Sequence, residues 1–201
     1  MIYANTDKEI MDEIKKKAIE IFAAKGYAAT KISDIADSLS ISRGPIYYYY
    51  QDKFGLYTAA YDHFEEELMK IHSEIFNTTD DFQTKMERLV FEFSKHISLF
   101  GHNFFFRIKE IPELHDINVR YEKMNTLFYE EKCALIREEQ KKGTLTTSLS
   151  PDDVVKGVYL IYLGILEGLN TELLSRDRED EIKDWIHLLF EGLNKKVKSP
   201  Q

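Results

Sequence analysis

A single cysteine, Cys133, in 201 residues leaves no partner for an internal disulfide and suits a reducing compartment, so a cytoplasmic location is expected. The longest apolar run, residues 157–166, is far short of the roughly 20 residues that a bilayer demands, and reads as a buried helix. The opening MIYANTDKEI has no basic stretch followed by an apolar one, so no signal peptide is expected. Catalytic signatures are missing too: there is no glycine-rich phosphate loop, no G-x-S-x-G, no H-E-x-x-H and no histidine near Cys133 in sequence. Carboxylates flank Cys133 in YEEKCALIREE and would raise its pKa, which makes it a packed helix residue rather than a nucleophile. No two of the six histidines stand three or four residues apart, so neither a metal site nor a cofactor is expected, and an enzyme is not. Strand patterns, internal repeats and low-complexity segments are also lacking.

What is present is helical periodicity. With 43% hydrophobic and 31% charged residues, the composition is that of an ordinary soluble globule of one or two modest domains. The pattern implies an all-α chain of about nine helices. Residues 7–25 place Ile10, Ile14, Ala18, Ile21 and Phe22 on one stripe, with Gly26 as the terminating glycine. Asp52 caps a longer helix to about residue 76. Residues 81–100 form the next, broken by Gly101, and a shorter helix stops near Pro112. A long helix over 117–142 ends at Gly143. Ser150-Pro151 opens a helix to about Leu174, and the last runs from Arg176 to about Lys196.

Residues 26–53 carry the most specific signal. Ile32, Ile35, Ala36 and Leu39 form a buried stripe on a helix of about two turns. Ser40-Ile41-Ser42 interrupts it, since serines compete for backbone hydrogen bonds. Ser42 is a good N-cap for a second short helix over 43–50, with Pro45 tolerated in its first turn. Two short helices around a three-residue turn, the second exposing polar and aromatic groups, describe a helix-turn-helix that reads DNA. Ser42, Arg43, Gly44, Pro45, Tyr47, Tyr48 and Tyr49 include the candidates for the DNA-facing side. Arg43 can offer its fork to guanine or a charge to phosphate, whereas Gly44 and Pro45 allow close approach to the groove. Ile46 and Tyr50 share the opposite side and are expected in the core. Lys31 and Ser33, at the start of the preceding helix, are weaker candidates for phosphate contact.

The net charge of −8 is unevenly placed. Residues 1–60 carry eight Lys/Arg and eight Asp/Glu, whereas residues 61–201 carry 19 and 27. Basic groups in the first part are Lys15, Lys16, Lys17, Lys31, Arg43 and Lys53 among others. So modest a number of cations implies weak non-specific affinity and reliance on a dimer.

The three segments FAAKGYAAT, ISDIADSLSIS and RGPIYYYYQDKFGL, in this order and spacing, resemble the amino-terminal domain of the TetR (tetracycline repressor) family. The resemblance is specific over residues 7 to about 60 and architectural beyond. It implies a helix-turn-helix domain over residues 1–53 followed by a helical ligand-binding and dimerisation domain over 54–201. It also implies phosphate contacts by Tyr47, Tyr48 and Lys53. Ser40 departs from the family, which usually has glycine there; a serine in a left-handed backbone costs roughly 1 kcal/mol.

The rest of the chain suggests a sensor and an interface. Aromatic residues concentrate over 82–106, with Tyr159, Tyr162 and Trp185 further on. Each can simply fill a core, but together they suit an aromatic-lined site for a small hydrophobic or amphipathic molecule. The candidates are Phe91, His96, Phe100, Phe104, Arg107, Tyr159 and Tyr162, with His96, His102 and Arg107 available to a polar end. Gly157, Gly164 and Gly168 fall on one helix, where each costs roughly 1 kcal/mol, and close approach of another helix would explain them. With Ile182, Trp185, Ile186, Leu189, Phe190 and Leu193 on the last helix, this suggests a two-fold dimer through residues 151–174 and 176–196, the two helices that serve this purpose in the family. The expected protein is thus a dimeric repressor of a near-palindromic double-stranded DNA operator, released by a small-molecule inducer, with no membrane partner. A helical ligand-binding or protein-interaction module without DNA binding is the alternative, opposed by the presence of Arg43, Tyr47, Tyr48 and Lys53.

Overall fold

The computed structural model describes residues 2–100, 109, 111–145, 147, 149–175 and 177–194, with backbone alone for 2–6, 99–100 and 192–194. Every regular element among the described residues is helical: α1 (Ile2–Lys25), α2 (Ile32–Ser38), α3 (Gly44–Tyr50), α4 (Lys53–Phe76), α5 (Phe82–Phe100), a 3-10 turn (Pro112–Leu114), α6 (His115–Lys142), α7 (Pro151–Asn170) and α8 (Glu179–Asn194). The short helix expected after Gly101 falls mostly outside the described residues. Two compact units result, one of residues 1–67 and 99–122, the other of residues 68–98 and 123–201.

The first unit is built on aromatic edges. Phe22 and Tyr27 each meet the Tyr57 ring edge-on, at 4.9 and 5.0 Å between centroids. Ile14, Ala18, Ile35, Ala36, Ile46 and Leu56 close the rest of that core. Gly26 ends α1 with φ +79°, a conformation glycine adopts without strain. α4 starts on Asp52, whose carboxylate accepts from the Gly55 N–H at 2.7 Å. Gly55 is obligatory, because a Cβ there would stand 2.1 Å from the Tyr50 carbonyl oxygen. Arg120 of α6 pairs with Asp62 (2.8 Å) and Glu65 of α4 and lies 5.0 Å from the Tyr61 ring centroid.

The second unit packs α5, α7 and α8 around Met86, Leu89, Val90, Ile165, Ile182, Ile186 and Phe190. Asp81 caps α5 by accepting from the Thr84 N–H at 2.8 Å, and Ser150 caps α7 by accepting from the Asp153 N–H at 3.1 Å. Ser150→Ala is expected to lower unfolding stability by about 1 kcal/mol. The test is the urea midpoint followed by circular dichroism, and an unchanged midpoint would show that the cap is dispensable.

α7 stops at Asn170, four residues before the expected end. Glu172 takes a left-handed φ of +60°, and the Leu174 N–H turns back to the Gly168 carbonyl at 2.9 Å. The Leu174 side chain then covers Gly168, where a Cβ would lie 2.8 Å from Leu174 Cδ1. Gly168 thus leaves room for a turn within its own chain. Gly164 differs: a Cβ there meets nothing within 4 Å.

Candidate nucleic-acid interface

The turn between α2 and α3 is fixed by backbone bonds. The Ile41 N–H donates to the Ala36 carbonyl at 3.0 Å, and Ser40 adopts φ +55°. Ser40 therefore carries the left-handed strain expected of a serine where glycine is usual. At the other end of α2, Asp34 accepts from the Lys31 N–H (3.2 Å) and the Lys25 ammonium (3.0 Å). These contacts, Lys25 foremost, hold the Asp34 carboxyl below its ordinary range.

α3 begins one residue later than expected. Arg43, not Ser42, occupies the capping position, and no side chain bonds the first turn. Ile46 and Tyr50 face inward, as their spacing predicts, and the Tyr50 hydroxyl donates to the Met11 carbonyl at 2.7 Å. Burial pushes the Tyr50 phenol up to about 12, so it remains a donor across the physiological range. The outer side of the helix carries Arg43 and Gly44, both exposed, then Tyr47, half exposed, and Tyr48, which is 80% exposed. Arg43 and Tyr47 stand four residues apart, as do Gly44 and Tyr48, so they form two neighbouring rows on one face. Pro45 and Ser33 are half-buried, while Lys31 and Ser42 are exposed.

Two contacts were not legible in the sequence. The Tyr49 hydroxyl donates to Asp7 Oδ1 at 2.9 Å, tying α3 to α1 across 42 residues of chain and raising the Tyr49 pKa. The half-buried Lys53 points its ammonium at the Tyr27 carbonyl, 3.0 Å away, and over the Tyr27 ring at 4.2 Å from its centroid. No local pattern could announce either, because both depend on where α1 ends up.

In the second unit, Phe91 is buried, with the ammonium groups of Lys95 and Lys183 at 5.9 and 4.8 Å from its ring centroid. His96 and Tyr162 are half-buried, whereas Tyr159 is about half exposed with its ring 5.8 Å from that of Tyr162. The Phe100 side chain, Phe104 and Arg107 lie outside the described residues, as does His102. Among the described residues no helix is long and apolar enough to cross a membrane, and no group of His, Cys, Asp or Glu could hold a metal ion.

Known proteins share this architecture. Residues 14–60 match the family described as bacterial regulatory proteins, tetR family. The IcaR protein of Staphylococcus epidermidis, a helix-turn-helix negative transcriptional regulator of the biofilm operon, is 23% identical over 126 residues, covering 60% of this chain and 65% of that protein. Its Staphylococcus aureus counterpart is 24% identical over 144 residues, 64% of this chain and 74% of its own. Among solved structures, the TetR-family regulator PfmR of Thermus thermophilus superposes with a TM-score of 0.70 at 18% identity, covering 90% of this chain and 99% of that one. Such identities carry the fold, and the family match carries the helix-turn-helix over residues 14–60. Residues 14–60 thus form a helix-turn-helix domain of the kind found in the bacterial regulatory proteins of the tetR family, carried on an all-helical fold shared with solved TetR-family regulators.

Proposed function

We propose that the protein is a homodimeric repressor that binds a near-palindromic operator and is released from it by a small hydrophobic or amphipathic molecule. The observation that carries the DNA part is α3, anchored by Ile46 and Tyr50 while Arg43, Gly44, Tyr47 and Tyr48 face outward. In a major groove, Arg43 would meet guanine or phosphate, and the two tyrosine hydroxyls would meet phosphates. Ser42, Pro45, Lys31 and Ser33 flank that face. The names of the staphylococcal relatives support repression, which would take place in the cytoplasm where the operator lies. Electrophoretic mobility shift with DNA from upstream of the protein's own gene tests the reading. Saturable binding that Arg43→Ala weakens supports it, and no binding in low salt would return the chain to a module without DNA.

Lys53 completes the set at the start of α4. Its contact with Tyr27 holds the ammonium at the amino end of that helix and leaves further N–H donors for a phosphate. Lys53→Ala is expected to weaken all DNA sequences about equally and to reduce the salt slope by about one. Loss of affinity for one base pattern at unchanged slope would assign Lys53 to base reading instead.

Two exposed apolar rows support assembly. On α7, Leu160 (68% exposed) stands one turn before exposed Gly164. On α8, Trp185, Leu188 and Leu189 face away from buried Ile182, Ile186 and Phe190. A two-fold pair through α7 and α8 would cover both rows and present two α3 helices to grooves about 34–36 Å apart. The inducer would act on the second unit. Phe91, His96 and Tyr162, with Phe100, Phe104 and Arg107, remain the proposed ligand set, while exposed Tyr159 is better placed beside Leu160 for the protomer contact. Ligand binding would favour a position of α4 in which both α3 helices cannot dock at once.

A further inference from the structure

One histidine in the core of the second unit is satisfied on one edge only. The His72 imidazole of α4 is sandwiched between Phe76 (centroids 4.1 Å apart, planes at 16°) and Phe128 of α6 (4.2 Å, 14°). Phe93 of α5 stands beside them, 6.5 Å from the imidazole and 5.5 Å from Phe128. His72 Nδ1 lies 3.3 Å from Oε2 of half-exposed Glu131, so this edge of the ring faces the surface. Nε2, on the inner edge, is enclosed and has no hydrogen-bond partner, and the residue as a whole is 5% exposed. Ser94, which follows Phe93 on α5, is fully buried and its hydroxyl is likewise unpartnered.

The chemistry of this group is narrow. Burial, with some help from Lys132, brings His72 down to about 4, so the ring is neutral near pH 7. The Glu131 carboxylate favours the proton on Nδ1, which leaves Nε2 as a lone-pair acceptor. Buried acceptors are rarely left unpaired, because the group forfeits its hydration without return. A carboxylate ligand offers no proton to this lone pair. A cation is disfavoured by burial and by Lys132, itself largely desolvated with its ammonium 5.6 Å from the Phe128 ring centroid. What fits is a neutral donor carried on an apolar, planar body that aromatic walls accept.

We infer that His72 Nε2, with Ser94 Oγ as a second contact, forms the polar end of the effector site, and that the effector is an apolar, ring-bearing molecule with a neutral hydroxyl or N–H donor. This rests on the ligand-released repressor reading above, and deepens it by naming the ligand class and by moving the polar end of the site from His96 and Arg107 to His72 and Ser94. A hydroxyl has the donor that His72 Nε2 lacks and an acceptor to offer the Ser94 O–H.

The test uses the full chain and four probes: naphthol, its methyl ether, naphthoate and naphthylamine, titrated calorimetrically and then against the protein on operator DNA. Naphthol and naphthylamine are expected to bind about tenfold or more tighter than the ether and naphthoate, the size of one buried hydrogen bond. In His72→Phe that preference should fall to about onefold, and in Ser94→Ala it should shrink while the order is kept. Because Phe keeps the stacked ring and removes an unpaired acceptor, losing only the contact with half-exposed Glu131, ligand-free His72→Phe should melt within a few degrees of wild type and bind DNA equally well. Equal binding of naphthol and ether, a preference surviving in His72→Phe, or no saturable binding by any probe would overturn the inference. So would a large fall in the melting temperature of His72→Phe, which would make His72 a structural residue. Selective binding that leaves DNA bound would uphold the site and refute release as its consequence.

Discussion

Leu160→Glu combined with Leu188→Glu is expected to yield a folded monomer that has lost operator binding. Leu160 and Leu188 are 68% and 56% exposed in the protomer, so the carboxylates disturb no core contact and the melting curve of the isolated chain should change little. In a two-fold dimer through α7 and α8, the same substitutions bury like charges across the axis with nothing to neutralise them. Each α3 would then hold its half-site alone. Loss of linkage between two half-sites removes about 10²–10⁴ in apparent affinity. Sedimentation equilibrium and operator titration decide the matter. Gly164→Leu gives an independent check: among the described residues, its own helix backbone aside, nothing lies within 4 Å of the new Cβ, so dissociation without unfolding would place the partner helix there. A wild-type chain that is monomeric at micromolar concentration, or a charged variant that still dimerises, would move the interface elsewhere.

Gly55→Ala is expected to damage the DNA-binding unit far more than one methyl group usually does. The added Cβ would lie 2.1 Å from the Tyr50 carbonyl oxygen, a backbone atom that cannot swing aside. Relief requires α3 and the start of α4 to separate, which strains the Gly55–Asp52 capping bond and tilts the recognition surface. Overpacking of this kind costs about 1–3 kcal/mol, so a fall in melting temperature of several degrees should accompany weaker operator binding. Gly44→Ala is the matched control. The nearest atom to its Cβ is the Ser42 hydroxyl oxygen at 3.5 Å, an ordinary contact, so stability should be kept. Equal stability of the two variants would mean that the α3–α4 junction is softer than its geometry implies.

Much of the molecule is written in short-range pattern. The stripe Ile32, Ile35, Ala36 and the inward pair Ile46 and Tyr50 follow from helical spacing, because burial of one helical face is a local property of the sequence. Gly26 and Gly143 stop their helices with positive φ, and Ser150 opens α7, each through bonds within a few residues. For the same reason residues 14–60 are recognisable as a family domain.

Where two distant segments meet, sequence alone fell short. α7 ends before Leu174, because Glu172 and Leu174 fold back over Gly168, and a G-x-x-x-G spacing cannot distinguish a neighbouring helix from a returning turn. Ser42 satisfied every local rule for an N-cap, yet the turn that Ser40 enters at φ +55° hands the position to Arg43. Tyr49 with Asp7, Lys53 with Tyr27, and His72 between Phe76 and Phe128 were likewise out of reach. Sequence by itself determined the helices, their buried faces and the DNA-binding motif, since these depend on propensity and periodicity over a few turns. Only the tertiary structure decided which polar atoms find partners and which stay enclosed without one. That outcome depends on side chains brought together from distant parts of the chain, whose separation no local pattern encodes.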